Sequence, residues 1–354
     1  MKRYFLVLLS VFFFGSATGQ NSSLEEQRAL PRFVKSVTVG ENRYVLHIMT
    51  LAFIYTIAIY GMNILAGYTG QLSLAHAGFF AIGAYGVGIF TTKFDLNFWV
   101  ALVLSITITM VIGFALGLIA LRTKEHFFAI YTLIAGYLIY LLIDKWEDLT
   151  GGVRGLIGIP KPDPIGPLQF NSPVAMYYLV LFFLIVSIFV VVRIVYSLTG
   201  RTYVAIRNSE ELAQTLGINT RINKLVSFVL SVGFAGLAGG LYAGLIRFLG
   251  PEIAGTTMVF TFLMYLVVGG LGTLAGPVIG TMLFIWLEQF LQGFQEHRML
   301  IFGPILVLIV IFYPTGLVGA YYSIVNKIRN RRKNKHQPAA PVVVESSNIQ
   351  SREV

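Results

Sequence analysis

The sequence predicts an all-α polytopic integral membrane protein, and three observations carry that prediction. Its 354 residues are 56% hydrophobic and only 12% charged, with a mean hydropathy of +0.75. Several apolar runs approach the ~20 residues that a helix needs to cross a ~30 Å hydrocarbon core. Nowhere do apolar and polar residues alternate in the manner of a transmembrane barrel. A soluble domain averages roughly 45–50% apolar residues, so this composition lies outside that class.

The chain opens with MKRYFLVLLSVFFFGSATGQ, in which a basic start, an apolar run and small residues follow one another in the format of a secretory signal. A retained first membrane segment is the alternative. Either way Lys2 and Arg3 lie inside and Gln20 outside. Residues 21–43 form an extracytoplasmic spacer and 44–320 the transmembrane domain. The tail 321–354 carries NKIRNRRKNK and then polar residues, which predicts disorder and, by the positive-inside rule, a cytoplasmic C-terminus.

Counting back from that tail, spans fall at 300–320, 277–291, 257–271, 225–246, 174–196, 126–144 and 99–121. The loop 198–224, with Arg201, Arg207, Arg221 and Lys224, is then cytoplasmic, and the loop 145–173 is outside. Segments 44–66 and 72–90 are joined only by GYTGQ, too few residues for a relaxed turn between two full crossings. A discontinuous or re-entrant helix fits here, where protein or a water-filled path can bury irregular backbone. Eight clear or near-clear spans result, plus the N-terminal apolar run and one ambiguous member of this pair.

Glycine is abundant, with 36 residues, and repeats every fourth position at Gly236, Gly240 and Gly244, at Gly272, Gly276 and Gly280, and at Gly113 and Gly117. Small residues at this spacing let helix backbones approach closely, within one chain or between two. The formal charge of +10 resides in short loops and the tail, which argues against a nucleic-acid partner. No cysteine is present, which excludes disulfides, thiolate metal sites and cysteine nucleophiles.

No GxxxxGK[ST], HExxH, GxSxG or paired-acid signature occurs, so the chain carries no catalytic residues and any ATP is handled by another chain. Within the spans His76 and Glu288 are the ionisable residues that stand out. His76 is either a hydrogen-bonded core imidazole or a solute contact. Arg247 ends its span and snorkels outward.

The polar insert AIRNSEELAQTLGIN, 205–219, bears its own helix signals. Asn208 is the expected N-cap, Glu211 its capping-box partner and Gly217 the left-handed terminator. The helix is about eight residues and ~12 Å long, with Glu210 and Glu211 in the first turn. So short a helix is unstable alone. Leu212 and Leu216, with Ser209 and Ala205 beside them, make a compact stripe for a partner's groove or for the ends of the chain's own spans.

Six motifs, GYTGQLSLAHAGFFAIGAY, TGGVRGLIGIP, GRTYVAIRNSEELAQTLGIN, FAGLAGGLYA, VVGGLGTLAGPVIG and YPTGLVG, follow in order from about Tyr44 to Gly319. Together they resemble the permease subunits of branched-chain amino acid ABC importers. The resemblance implies a type II importer-like bundle of about 8–10 transmembrane helices in a bacterial inner membrane. It implies two ABC ATPase subunits, a second homologous permease subunit and an extracytoplasmic substrate-binding protein as partners, with no cofactor on this chain and ATP on the ATPases.

It further implies that 198–224 is the coupling loop, with Arg207, Asn208, Glu210, Glu211, Leu212, Leu216 and Gly217 meeting an ATPase, the two leucines as anchors. Candidates for the translocation path are Gly70, Gln71, His76, Gly78, Gly269, Gly270 and Gly272; Thr150, Gly151 and Gly152 mark the extracytoplasmic mouth. Three departures accompany the resemblance: Val153 and Arg154 after TGG, Glu125 and His126 in RTKEHFFAI, and the long stretch from Gly15 to Arg43. A urea or short-amide ABC permease shares nearly the same motifs, and a stand-alone secondary carrier is the alternative from another class.

Overall fold

The computed structural model describes residues 43–123, 125–166, 169–290 and 316–319. The signal-like start, nearly all of the spacer, most of the 300–320 span, the tail and the side chains of Glu125 and His126 lie outside the described residues.

Helix α1 (Arg43–Met62) runs on as a π-helix, Asn63–Tyr68, and an irregular stretch leads into α2 (His76–Thr92). There follow α3 (Phe98–Ala120), α4 (Glu125–Lys145), the single turn α5 (Glu147–Thr150), and α6 (Pro173–Val195). Two polar-loop helices, α7 (Leu198–Asn208) and α8 (Glu210–Thr215), precede the long α9 (Thr220–Ile246), and α10 (Thr256–Gly269) and α11 (Gly276–Phe290) close the described chain. Side-chain caps start the long helices: Asn97 accepts from the Trp99 amide, Ser172 from Ala175 with Pro173 in the first turn, and Asn219 from Ile222.

Among the described residues, five helical segments are long and apolar enough to cross a membrane: Arg43–Tyr68, Phe98–Ala120, Phe127–Lys145, Pro173–Val195 and Thr220–Ile246. Of the other expected crossings, α2 and α10 are shorter, at 17 and 14 residues, and α11 is described over 15 residues up to Phe290. Their inner ends give way to irregular backbone at 69–75 and 270–275, which takes up part of the depth. Residues 44–90 therefore hold one full helical crossing and one shortened helix.

The core is built around α9, which packs on α1, α2 and α3. A Cβ on Gly61 would lie 2.5 Å from the Ser231 carbonyl oxygen, and one on Gly83 2.6 Å from Gly236 Cα. Gly236, Gly240 and Gly244 face Thr109, Leu102 and Phe98 on α3, while Gly113 and Gly117 receive Val232 and Phe228. Gly280 abuts Gly269. These spaced glycines thus serve packing within the chain. Four rings from four helices, Tyr55, Phe80, Tyr242 and Phe262, meet with centroids 5.3–6.3 Å apart.

At the end opposite α7 and α8, β1 (Leu156–Ile157) pairs antiparallel with β2 (Phe248–Leu249), Leu156 opposite Leu249. This ribbon ties the 145–173 loop to the end of α9. Tyr85 donates to the Leu249 carbonyl at 3.0 Å, Arg247 Nε to the Ile159 carbonyl at 3.0 Å, and Trp99 Nε1 to the Asp163 carbonyl at 2.9 Å. Arg247 is therefore bonded to the loop as well as placed at the span end.

The α2–α9 contact gives a direct test. In Gly239→Ala the new methyl would run into the Phe80 carbonyl and lie 2.9 Å from the Ala84 amide, and overpacking of this kind costs about 1–3 kcal/mol. Gly233→Ala meets only the flexible Met110 side chain, at 3.2 Å. Thermal unfolding in detergent is expected to show a clear drop for Gly239→Ala and little change for Gly233→Ala.

Candidate functional site

The α7–α8 end is assembled from short-range signals. Ser197 caps α7, accepting from the Gly200 amide at 3.3 Å, and Gly200, Tyr203 and Ile206 form its buried face. Tyr203 is 1% exposed, and burial pushes its phenol up to about 12, so the ring is a neutral packing element at physiological pH. The sequence reading did not anticipate α7, whose residues mix apolar and polar types without a breaker before Asn208.

Asn208 is not the cap of α8. It is the last residue of α7, and the cap is Ser209, extended at φ −162 and ψ 110, which accepts from the Leu212 amide at 3.2 Å. A capping residue must leave helical backbone, and only Ser209 does so. With Ser209 at the cap, Leu212 occupies the third helical position, so Glu211 has no capping-box role. The helix is six residues rather than about eight. Gly217, at φ +80, ends it in a Schellman motif: the Ile218 amide donates to Ala213 and the Gly217 amide to Gln214.

Six residues cannot hold a helix in water, and a buried Ala213 with two hydrogen bonds to α9 holds α8 in place. Ala213 is buried, Gln214 Nε2 donates to Thr220 Oγ1 at 3.1 Å, and Lys224 Nζ donates to Glu210 Oε2 at 2.5 Å. Glu210, expected to meet a partner, is thus engaged within the chain. Leu212 and Leu216 are 61% and 72% exposed.

Arg207 is exposed overall, and its guanidinium reaches in to the end of the first span. Its Nη1 donates to the Gly67 carbonyl at 2.5 Å. Gly67 lies at the end of the α1 π-turn, where carbonyls have no intrahelical donor and the helix dipole favours a cation. Two left-handed glycines line the guanidinium's route, Gly70 at φ +79 and Gly272 at φ +71. A Cβ on Gly70 would lie 3.0 Å from Arg207 Cγ, and one on Gly272 would lie 2.7 Å from Nη1 and 2.8 Å from the Gly67 oxygen.

The 270–275 turn is held from α1. Asn63 Nδ2 donates to the Thr273 carbonyl and its Oδ1 accepts from the Gly272 amide, both at 2.8 Å, and Tyr60 donates to the Leu274 carbonyl at 2.7 Å. Sequence reasoning passed over Tyr60 and Asn63; a fully buried Asn in an apolar run was the available signal.

The remaining path candidates sit at helix contacts and in the first irregular stretch. His76 is buried, its Nε2 2.5 Å from Ser231 Oγ and its Nδ1 3.4 Å from the Ser73 carbonyl, so its ring joins α2 to α9. Gly78 faces Ile139 and Gly136 on α4, and Gly269 and Gly270 pack on Gly276. Gln71, half-buried, lies in the first irregular stretch. At the far end Thr150 is buried and donates to the carbonyls of Ile143 and Trp146 at 2.6 and 2.7 Å. Gly151 and Gly152, at φ +79 and +55, turn the chain beside it, so the three form a helix-ending turn. Glu288 accepts from the Tyr265 hydroxyl at 3.0 Å, tying α11 to α10.

Residues 44–310 match the family described as branched-chain amino acid transport system, permease component. The chain is 31% identical over 300 residues to the high-affinity branched-chain amino acid transport system permease protein LivM of Escherichia coli K12, covering 78% of this chain and 70% of that one. It is likewise 31% identical to the LivM protein of Salmonella typhimurium LT2, over 77% and 69% of the two chains. To the permease protein LivH of Escherichia coli K12 it is 23% identical over 77% of this chain and 93% of that one. No solved structure matches it.

The reassigned cap is testable. Ser209→Ala removes the bond to the Leu212 amide and is expected to cost about 1 kcal/mol locally, seen as faster hydrogen exchange across residues 210–215. Asn208→Ala is expected to leave that exchange nearly unchanged; the opposite order would restore Asn208 as the cap.

Proposed function

The chain belongs to the family of branched-chain amino acid transport permease components, and on that premise we propose that it is the membrane-spanning subunit of an ATP-driven importer of branched-chain amino acids. Its partners are a second homologous permease subunit, two ABC ATPase subunits and an extracytoplasmic substrate-binding protein. The chain itself binds no cofactor, and ATP is hydrolysed on the ATPases. It resides in the bacterial inner membrane with the α7–α8 end and the basic C-terminal tail in the cytoplasm, the orientation that the positive-inside rule favours.

The observation that carries this reading is the pair Leu212 and Leu216. Leu212 on α8 and Leu216 at its C-cap stay exposed, while the helix is capped at both ends and fastened to α9. A rigid short helix offering two apolar anchors suits a groove on another protein. ATP-driven closure of the ATPases presses on α8, and the Lys224–Glu210 and Gln214–Thr220 contacts pass the displacement to α9. Because α9 carries the glycine-lined core, its movement rocks α1, α2 and α3 with it. Glu211, Asn208 and Gly217 complete the surface presented to the ATPase.

Replacing both Leu212 and Leu216 by Asp is expected to leave the purified permease folded while lowering uptake of radiolabelled leucine by about tenfold or more, the scale of two lost interface anchors. The measurement is uptake by proteoliposomes that hold the whole complex, with co-purification of the ATPase scored alongside. Undiminished uptake would contradict the docking role of α8.

A further inference from the structure

We infer that Arg207 is a positioning residue that clamps both irregular segments to the α7–α8 end, so that a displacement of that end carries the two breaks along as one body. In its consequence for transport the inference rests on the importer reading; in its structural part it stands alone. The guanidinium donates to the Gly67 carbonyl at 2.5 Å across 140 residues of sequence. Gly67 lies in the last turn of the π-helix, just beyond which the amides of Thr69 and Gln71 bond back to Ile64 and Leu65.

The second break closes over the same guanidinium. Gly272 leaves no room for a methyl between Arg207 Nη1 and the Gly67 oxygen, and its own amide is fixed by Asn63 of α1. A single cation therefore sits where three segments converge: the end of α7, the end of the π-turn and the 270–275 turn. Charge matters here as much as reach. A carbonyl at a helix C-terminus, away from bulk water, is better satisfied by a charged donor than by a neutral one.

The other basic residues at this end do not share the arrangement. Arg201 and Arg221 are exposed, as Arg207 is, but among the described residues neither side chain is hydrogen-bonded to an irregular segment, and Lys224 pairs with Glu210. Lysine at position 207 retains a cationic donor, and because one carbonyl oxygen is the acceptor, a bidentate fork is not required. This separates a clamp from a surface contact in which the planar guanidinium itself is read.

The test compares the native complex with Arg207→Met, Arg207→Lys and the control Arg221→Met in proteoliposomes containing the ATPases and the binding protein. The readout is leucine imported per ATP hydrolysed. Arg207→Met is expected to keep the ATPase bound and hydrolysing, while the ratio falls about tenfold, the scale of a lost charge-assisted hydrogen bond. Arg207→Lys is expected to recover most of it, and Arg221→Met to leave it unchanged.

Hydrogen exchange at the Gln71 amide in the purified full chain reads the clamp without transport. It is expected to speed up about tenfold in Arg207→Met and far less in Arg207→Lys. An unchanged ratio in Arg207→Met, loss of the ATPase from that variant, or unchanged exchange at Gln71 would each overturn the inference. A native complex that imports no leucine while the exchange pattern holds would sink the importer reading and leave the clamp in place.

Discussion

Backbone that leaves the helix inside a hydrocarbon slab must find its hydrogen-bond partners within the protein, because no water is there to supply them. That constraint organises this chain. Its two irregular segments, 69–75 and 270–275, are satisfied by a small set of side chains drawn from elsewhere. Thr132 of α4 accepts from the Leu74 amide at 3.0 Å, Asn63 and Tyr60 of α1 hold the second turn, and Arg207 of α7 reaches the end of the first. The breaks are consequently places where α1, α4 and α7 are bonded to irregular backbone.

Around them, close packing supplies what the hydrophobic effect cannot. Apolar helices gain nothing from burying one another in lipid, so association relies on short backbone separations and dispersion. The glycines of α9 set those separations against α1, α2 and α3. A rigid α9 bearing α8 at one end and the β1–β2 ribbon at the other is a mechanical strut between the two faces of the membrane. On the proposed reading, displacement of α8 passes along it to three neighbours, and Arg207 takes the same displacement into the breaks.

Much of the fold could be read from the residues because span length, Gly spacing and capping signals are local. The apolar stretches at 99–121 and 174–196 begin and end within a residue of α3 and α6. Where a feature depends on distant partners, the sequence could not show it. Arg207 reads as one more basic residue in a polar loop, and only the fold places Gly67, Gly70 and Gly272 around it. The same holds for His76, whose partner Ser231 lies 155 residues away. Adjacent Asn208 and Ser209 are both good caps, and Glu211 at the right distance favoured the wrong one; the choice was made by α7 continuing to Asn208. Candidates for path and coupling, separate in the sequence, become neighbours in space.

The most direct test of this mechanical unity exploits the absence of cysteine in the chain. Spin labels on Leu72→Cys, in the first irregular stretch, and Val204→Cys, on α7, both at partly exposed positions, would report their separation in the assembled complex. Distances are measured by pulsed electron paramagnetic resonance in the nucleotide-free and ATP-trapped states, beside a reference pair joining Val204→Cys to Leu142→Cys on α4, a helix outside the group that rocks with α9. The account predicts one unshifted Leu72–Val204 distance in both states while the reference distance changes. A Leu72–Val204 distance that shifts with ATP would show that α7 and the break move independently, and would contradict it.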